Sequence, residues 1–318
     1  MASVSAPSAS TSGIHQVSPE VQIAYTIYHA QTNSQPQPTP KPTIIFVNGL
    51  ADPKESWAAQ IPALTSAGYA VLTYDNRGLG GSSRPSGPSE VYTTMLMASD
   101  LASLLTNKNL NITGAVHILG VSMGGMIAQS FTLEHVLPQR LPAAINVLSI
   151  TFACTYAFPG PFCTRMFEFW RDVATNMSVG TVLRDTLLWC FSPEYWGDAA
   201  RQGEIKALDD DLKTVDDIDA GGMGLNAYLA QLNAILVFDS RVEIGKLAAL
   251  KSQGGPKIVV LAGEDDILIP VSLSRELCGL IPGATWRTTR GGHACNWEFP
   301  DEFNQTCLEM WKEIEDGR

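Results

Sequence analysis

Ser122 stands in the run Gly120-Val121-Ser122-Met123-Gly124, directly after the apolar stretch Val116-His117-Ile118-Leu119 and before the helix-like Gly125-Met126-Ile127-Ala128-Gln129. A serine on such a strand-to-helix turn can serve as a nucleophile. The turn lifts the hydroxyl clear of the sheet, and small flanking residues keep the neighbouring chain from clashing with a strained backbone. The free N–H groups of the helix N-terminus favour developing negative charge there, which makes the Met123 N–H a natural oxyanion donor. The same pentapeptide also fits a Gly-rich turn that merely needs a small residue. The assignment therefore depends on finding partners.

A serine hydroxyl needs a base, and the chain has five histidines. His15 lies in the N-terminal segment, His29 at the end of an alternating stretch, His117 inside a buried-looking strand and His135 beside Glu134 on a helix. His293 follows Gly291-Gly292, just past the strand-like Thr285-Trp286-Arg287-Thr288-Thr289. A histidine on a glycine-flanked loop beyond a strand end can swing to a nucleophile, so His293 is the best base. The base in turn needs an orienting carboxylate. Glu264, Asp265 and Asp266 cluster after the strand-like Lys257-Ile258-Val259-Val260-Leu261, at the carboxyl end where open α/β sheets place their sites. An exposed acidic loop is the other reading of that cluster. The order Ser, acid, His favours the catalytic one.

These residues must be held by a frame, and the sequence supplies it. Thr43–Val47, Ala70–Tyr74, Val116–Leu119, Asn146–Ile150 and Lys257–Leu261 read as buried strands, most of them running into Gly, Asn or Asp. Between them lie stretches of helical spacing: Trp57–Ser66, Thr94–Leu105, Met126–Leu133 and Ser272–Leu280. Alternation of this kind predicts a mainly parallel central sheet flanked by helices, an α/β fold. Val21–Tyr28 reads as an antiparallel edge strand, followed by a stiff Pro-rich connection over Gln35–Pro42. The pattern breaks from about Cys154 to Arg241, which is dense in aromatic residues. The expected division is a core of residues 1–153 and 242–318 with a helical cap of 154–241 inserted between core strands, roofing an apolar cavity. Candidate cavity residues are Asn48, Trp170, Trp189 and Trp297.

The whole chain sets limits. Its 318 residues suit one core with an inserted subdomain. A net charge of −11 without a basic stripe argues against nucleic-acid binding. Six scattered cysteines form neither C-x-x-C nor a Cys/His spacing for zinc, so no metal is expected. Met1–Ser12 lacks the basic and apolar regions of a signal peptide, and no apolar run is long enough to span a membrane, so the expectation is a cytoplasmic enzyme. Asn76-Arg77-Gly78-Leu79-Gly80-Gly81 breaks the dinucleotide-loop register at Ser83.

Four of these segments together resemble the α/β-hydrolase superfamily, over nearly the whole chain. Gly120–Gly125 resembles its nucleophile elbow, and Tyr74-Asp75-Asn76-Arg77-Gly78-Leu79-Gly80-Gly81-Ser82 the loop after an early core strand. Gly263–Pro270 resembles its acid loop and Gly291-Gly292-His293 its histidine loop. In that acid loop the acid is the third residue after Gly, which implies Asp266 rather than Asp265. The branch it looks most like holds 3-oxoadipate enol-lactonases and related lactonases and esterases. The resemblance implies a Ser122–His293–Asp266 triad, no cofactor, and a small-molecule ester or lactone with apolar or aromatic character as substrate. C–C bond hydrolysis, thioesterase or cyclase chemistry, and a ligand-binding receptor on the same fold, are the alternatives; a homodimer is left open. One departure stands out. The family usually carries His-Gly where this chain has Asn48-Gly49-Leu50. The Leu50 N–H can still supply the second oxyanion donor, with Asn48 holding the loop through its amide.

Overall fold

The computed structural model describes residues 9–31, 40–219 and 221–317. Most of the Pro-rich connection and the first eight residues lie outside these. The described strands are β1 (Ser10–Ser18), β2 (Val21–Tyr28), β3 (Thr43–Val47), β4 (Ala70–Tyr74), β5 (Gly114–Val121), β6 (Ile145–Ala153), β7 (Lys257–Gly263) and β8 (Thr285–Thr289). They form one sheet in the order β1-β2-β4-β3-β5-β6-β7-β8. β3 to β8 run parallel, whereas β1 and β2 are antiparallel to their neighbours.

The centre of the sheet, β3 to β7, is buried on both faces because its strands are largely apolar at successive positions. In β3, Ile45 and Val47 enter one core while Ile44 and Phe46 enter the other, as the two-residue period of a strand requires. The first face is covered by α2 (Thr94–Leu104), α3 (Met123–Phe131) and α10 (Val271–Leu280). The second is covered by α1 (Ile61–Ser66) and α12 (Pro300–Glu315), with Trp57 stacked on Phe46 at 3.9 Å between ring centroids. A short α9 (Ala248–Ser252) leads into β7, and a single turn, α11 (Cys295–Glu298), follows the histidine loop.

Between β6 and β7 the chain forms α4 (Gly160–Asn176), α5 (Val179–Cys190), α6 (Pro193–Gly197), α7 (Gln202–Asp211) and α8 (Leu225–Leu236). Ser178 and Ser192 cap α5 and α6 by accepting the N–H groups of Thr181 and Tyr195. The aromatic residues here divide: Phe167, Trp170, Phe191 and Tyr195 are buried, while Phe162 and Phe169 face solvent.

Two expectations need correction. Val21–Tyr28 is a strand but not the edge, because β1 pairs outside it. β1 escaped notice because its sequence, STSGIHQVS, is polar and mostly exposed, the normal state of a solvent-facing edge. His15 therefore sits in a strand, hydrogen bonded to Ser103 at 2.9 Å.

At the end of the sheet remote from Ser122, the Glu315 carboxylate accepts hydrogen bonds from Tyr69 at 2.6 Å and Lys41 at 3.1 Å. Burial opposes its ionisation, but the contacts with His117, Tyr69 and Lys41 outweigh that and hold it at about 2. A carboxylate depressed in the folded state stabilises above its unfolded pKa and loses that contribution as pH falls toward the folded value. Melting temperature should therefore drop between about pH 4.5 and 2, and Glu315→Gln should flatten the drop in a calorimetric pH series.

Candidate active site

Ser122 follows β5 as the N-cap of α3, with φ 59° and ψ −121°. That left-handed conformation is strained for a residue with a side chain and persists only where the surroundings enforce it. The enforcement is visible. The Ser122 N–H donates to Ala153 O at 2.9 Å, and Thr155 Oγ1 donates to Ser122 O at 2.9 Å. Gly120 and Gly124 make the turn sterically feasible. A Cβ on Gly120 would lie 2.1 Å from Gly124 O, and one on Gly124 would lie 2.0 Å from Val47 O. Gly124→Ala should thus cost at least the ~1–3 kcal/mol typical of overpacking, read from urea unfolding. Gly87→Ala, with nothing within 4 Å, should leave the midpoint in place.

Ser122 Oγ accepts or donates no hydrogen bond among the described residues, and it opens into a cavity of about 570 Å³. His293 lines the same cavity and is buried. Its Nδ1 lies 2.9 Å from Asp266 Oδ2, and Asp266 Oδ1 accepts the Ile269 N–H at 2.8 Å. Asp266 is buried, whereas Asp265 and Glu264 are exposed, with Glu264 taken up by the Thr288 hydroxyl. The acid loop is docked to the histidine loop by backbone bonds from Asp265 N–H to Gly291 O and from Glu264 N–H to Thr289 O, each 2.9 Å. A Ser–His hydrogen bond is absent; such contacts tighten when substrate fills a site.

On the other side of Ser122 lies the loop after β3. An ideal Cβ on Gly49 would sit 3.4 Å from Ser122 Cβ, so the Gly49–Leu50 backbone passes directly over the serine. The Asn48 amide holds this loop. It donates to Asp52 O at 3.0 Å and Pro53 O at 2.6 Å and accepts the Trp57 indole N–H at 3.0 Å. The Ala51 N–H is fixed by Gln231 of α8 at 3.0 Å. Neither the Leu50 nor the Met123 N–H has an acceptor among the described residues, which leaves both available to a developing oxyanion.

Of the four residues expected on the cavity wall, Trp170 and Trp297 are there. Asn48 and Trp189 are not. Asn48 is fully buried beneath the loop, its amide consumed by the bonds above. Trp189 is half-buried, in edge contact with the exposed Phe162, and gives its N–H to Asp185. Sequence reasoning missed Glu298, whose buried carboxylate accepts the N–H groups of Gly292 and Ser192 and so ties the histidine loop to the helical insertion. It also missed Asp52, which lines the cavity.

Cys154, Asp266 and His293 bring possible metal-ligating atoms within 4.8 Å of one another. The Cys154 thiol lies 3.8 Å from Cys295, and that contact together with burial keeps it protonated. The trio thus offers an Asp–His pair beside a neutral thiol rather than a deprotonated ligand set.

The sequence profile of the α/β-hydrolase fold family matches residues 42–300. The chain belongs to the α/β-hydrolase fold family. A Caulobacter segnis protein named for carbamate hydrolysis, RutD, is 26% identical over 270 residues, covering 84% of this chain and 90% of its own. A Mycobacterium tuberculosis protein named for non-heme bromoperoxidase activity, BpoC, is 27% identical over 273 residues, covering 85% and 94%. The enol-lactonase structure from Burkholderia xenovorans superposes with a TM-score of 0.72 at 22% identity, over 94% of this chain and 100% of that one. At that identity the likeness concerns the fold. This α/β hydrolase has no helix among its described residues that is long and apolar enough to cross a membrane.

Proposed function

We propose that this hydrolase cleaves a carboxylic ester or lactone of a small to medium apolar or aromatic molecule through an acyl-enzyme on Ser122. The observation that carries the reading is one cavity holding four things together. They are an unpartnered Ser122 hydroxyl on a strained turn whose next residue offers the free Met123 N–H, a histidine already oriented by a buried aspartate, the unpartnered N–H of Leu50, and an apolar wall. Ser122 attacks the acyl carbonyl while His293 takes its proton. Asp266 fixes the His293 tautomer and stabilises the imidazolium. The Leu50 and Met123 N–H groups hold the oxyanion, each worth roughly 3–4 kcal/mol of barrier. His293 then protonates the leaving oxygen, and water resolves the acyl-enzyme.

Residues 154–241 act as the cap in this reading. Phe167, Trp170, Leu183 and Leu187 from α4 and α5 line the cavity together with Ser122, so the insertion selects the substrate while the core supplies the chemistry. A relative named as a hydrolase of carbamates, whose reacting atom is also an acyl carbonyl carbon, supports the reaction class. The test is a panel of p-nitrophenyl acyl esters and five- to seven-membered lactones, with acyl-enzyme trapping by mass spectrometry. Expected is turnover of one class with a mass increment on Ser122; turnover with no adduct at Ser122 under rapid quench would overturn the mechanism.

A further inference from the structure

The cavity around Ser122 and His293 has a one-sided charge. Its wall carries three carboxyl residues, Asp52, Glu55 and Asp211, and neither a lysine nor an arginine. Two of the three are accounted for. Glu55 pairs with Lys54 at 2.7 Å, and Asp211 is exposed at the rim. The nearby cations are also committed elsewhere. Lys54 binds Asp75 at 2.9 Å, and the Arg84 guanidinium donates to the Gly221 and Gly222 carbonyls at 3.2 and 2.9 Å.

Asp52 differs from the other two. It sits on the Asn48-held loop, two residues beyond Leu50, and has no cationic side chain paired with it among the described residues. Its carboxyl is met by the Ser56 hydroxyl and the Gly49 N–H from its own loop, faces Asp75 at the end of β4, and feels His293 across the cavity. The Cys190 thiol at the end of α5 in turn feels the charge on Asp52. Burial, aided by Asp75, pushes Asp52 up to about 7 against the opposing pull of Ser56, Gly49 and His293. Asp52 is half-buried on the wall of the cavity that holds Ser122 and His293, and no lysine or arginine of that wall balances it. Such a group gains when a ligand brings a counter-charge, and it repels a ligand carboxylate. The aromatic wall, which includes Trp170 and Trp297, adds to the preference, since aromatic rings attract cations.

We propose that Asp52 is a specificity-determining residue that receives a positively charged nitrogen of the substrate, so that the cavity favours ammonium-bearing acyl compounds and rejects carboxylate-bearing ones. The proposal rests on this cavity being the substrate site of the proposed hydrolase. It does not require Ser122 to be the nucleophile. A bound ammonium lowers the pKa of Asp52 and so binds more tightly as pH rises through about 7.

The test uses three ketones in which methylene replaces the ester oxygen, identical but for one terminus: trimethylammonium, its uncharged tert-butyl isostere, or carboxylate. Affinities are measured by calorimetry on the Ser122→Ala protein at pH 6 and pH 8, with and without Asp52→Asn. Using Ser122→Ala removes covalent chemistry, and fluorophosphonate labelling of the wild type judges the serine separately. The charged ketone should bind on the order of tenfold tighter than its neutral isostere at pH 8, as a partly screened charge pair allows, and the advantage should shrink at pH 6. Asp52→Asn should bring the ratio close to one at both pH values, with the neutral ketone bound as before. Equal binding of the pair in the Asp52 protein, a pH-independent advantage, no binding of the ammonium ketone, or preference for the carboxylate ketone would each overturn the assignment.

Discussion

Replacing Ser122 with alanine should abolish fluorophosphonate labelling and lower kcat by on the order of 10⁶, the loss met when a serine nucleophile is removed from a working triad. The unfolding midpoint should barely move. The structure gives a reason for the second half of that expectation. Ser122 Oγ has no partner among the described residues, so its removal breaks no hydrogen bond, while the turn's backbone bonds to Ala153 and from Thr155 persist. A methyl group tolerates φ 59° about as well as a hydroxymethyl does. The fold should therefore hold the alanine in the same strained turn. The residual rate should stay above the uncatalysed one, because the Leu50 and Met123 N–H groups would still receive an oxyanion from attacking water. Labelling of the alanine variant at the wild-type rate would place the nucleophile elsewhere. A collapse of stability would mean that the strained turn depends on the hydroxyl in a way its hydrogen bonds do not reveal.

What could be read from the sequence follows from how local each signal is. The strands β3 to β7 announce themselves because burial on both faces demands largely apolar runs, whereas β8 is polar and only partly buried. The elbow was legible because its glycines answer to steric demands within a few residues: Gly120 is closed off by Gly124, four positions on. Asp266 was legible as a candidate through its loop at the end of the apolar β7, and His293 through the two glycines that precede it. The cavity wall was another matter. Trp189 and Trp170 are both aromatic, both in the insertion and both hydrogen bonded to Asp185, yet only Trp170 reaches the cavity. Which face of α4 and α5 turns inward depends on how those helices dock, and composition does not record that. Asn48 was misplaced for a similar reason. It lies in the right loop, but its amide points under the loop to bind the backbone rather than out toward a ligand. Asp52 and Glu298 gave no signal at all. Each is a single acid that no motif marks, and each draws much of its meaning from groups distant in the chain: Asp75 and His293 around Asp52, Ser192 against Glu298.

Asp266→Asn is the change with the next largest expected effect, and its logic is one of proton placement rather than charge alone. In the structure His293 Nδ1 faces Asp266 Oδ2, so the ring proton resides on Nδ1 and the Nε2 lone pair is free to act as base. Asp266 Oδ1 is engaged by the Ile269 N–H at 2.8 Å. An asparagine in the same rotamer keeps its carbonyl oxygen on that N–H, which forces its NH₂ group toward His293. Two donors cannot share the contact, so the imidazole shifts its proton to Nε2 and turns its lone pair to the amide. The base is then present, positioned and in the wrong tautomer. kcat should fall by on the order of 10⁴, with KM and the unfolding midpoint little changed because packing and the Ile269 bond survive. Asp265→Asn, altering an exposed neighbour in the same acidic run, should leave kcat within about twofold, as surface changes away from a site do. Were the two losses reversed, Asp265 rather than Asp266 would orient the histidine, and the hydrogen bond at His293 Nδ1 would have no part in the reaction.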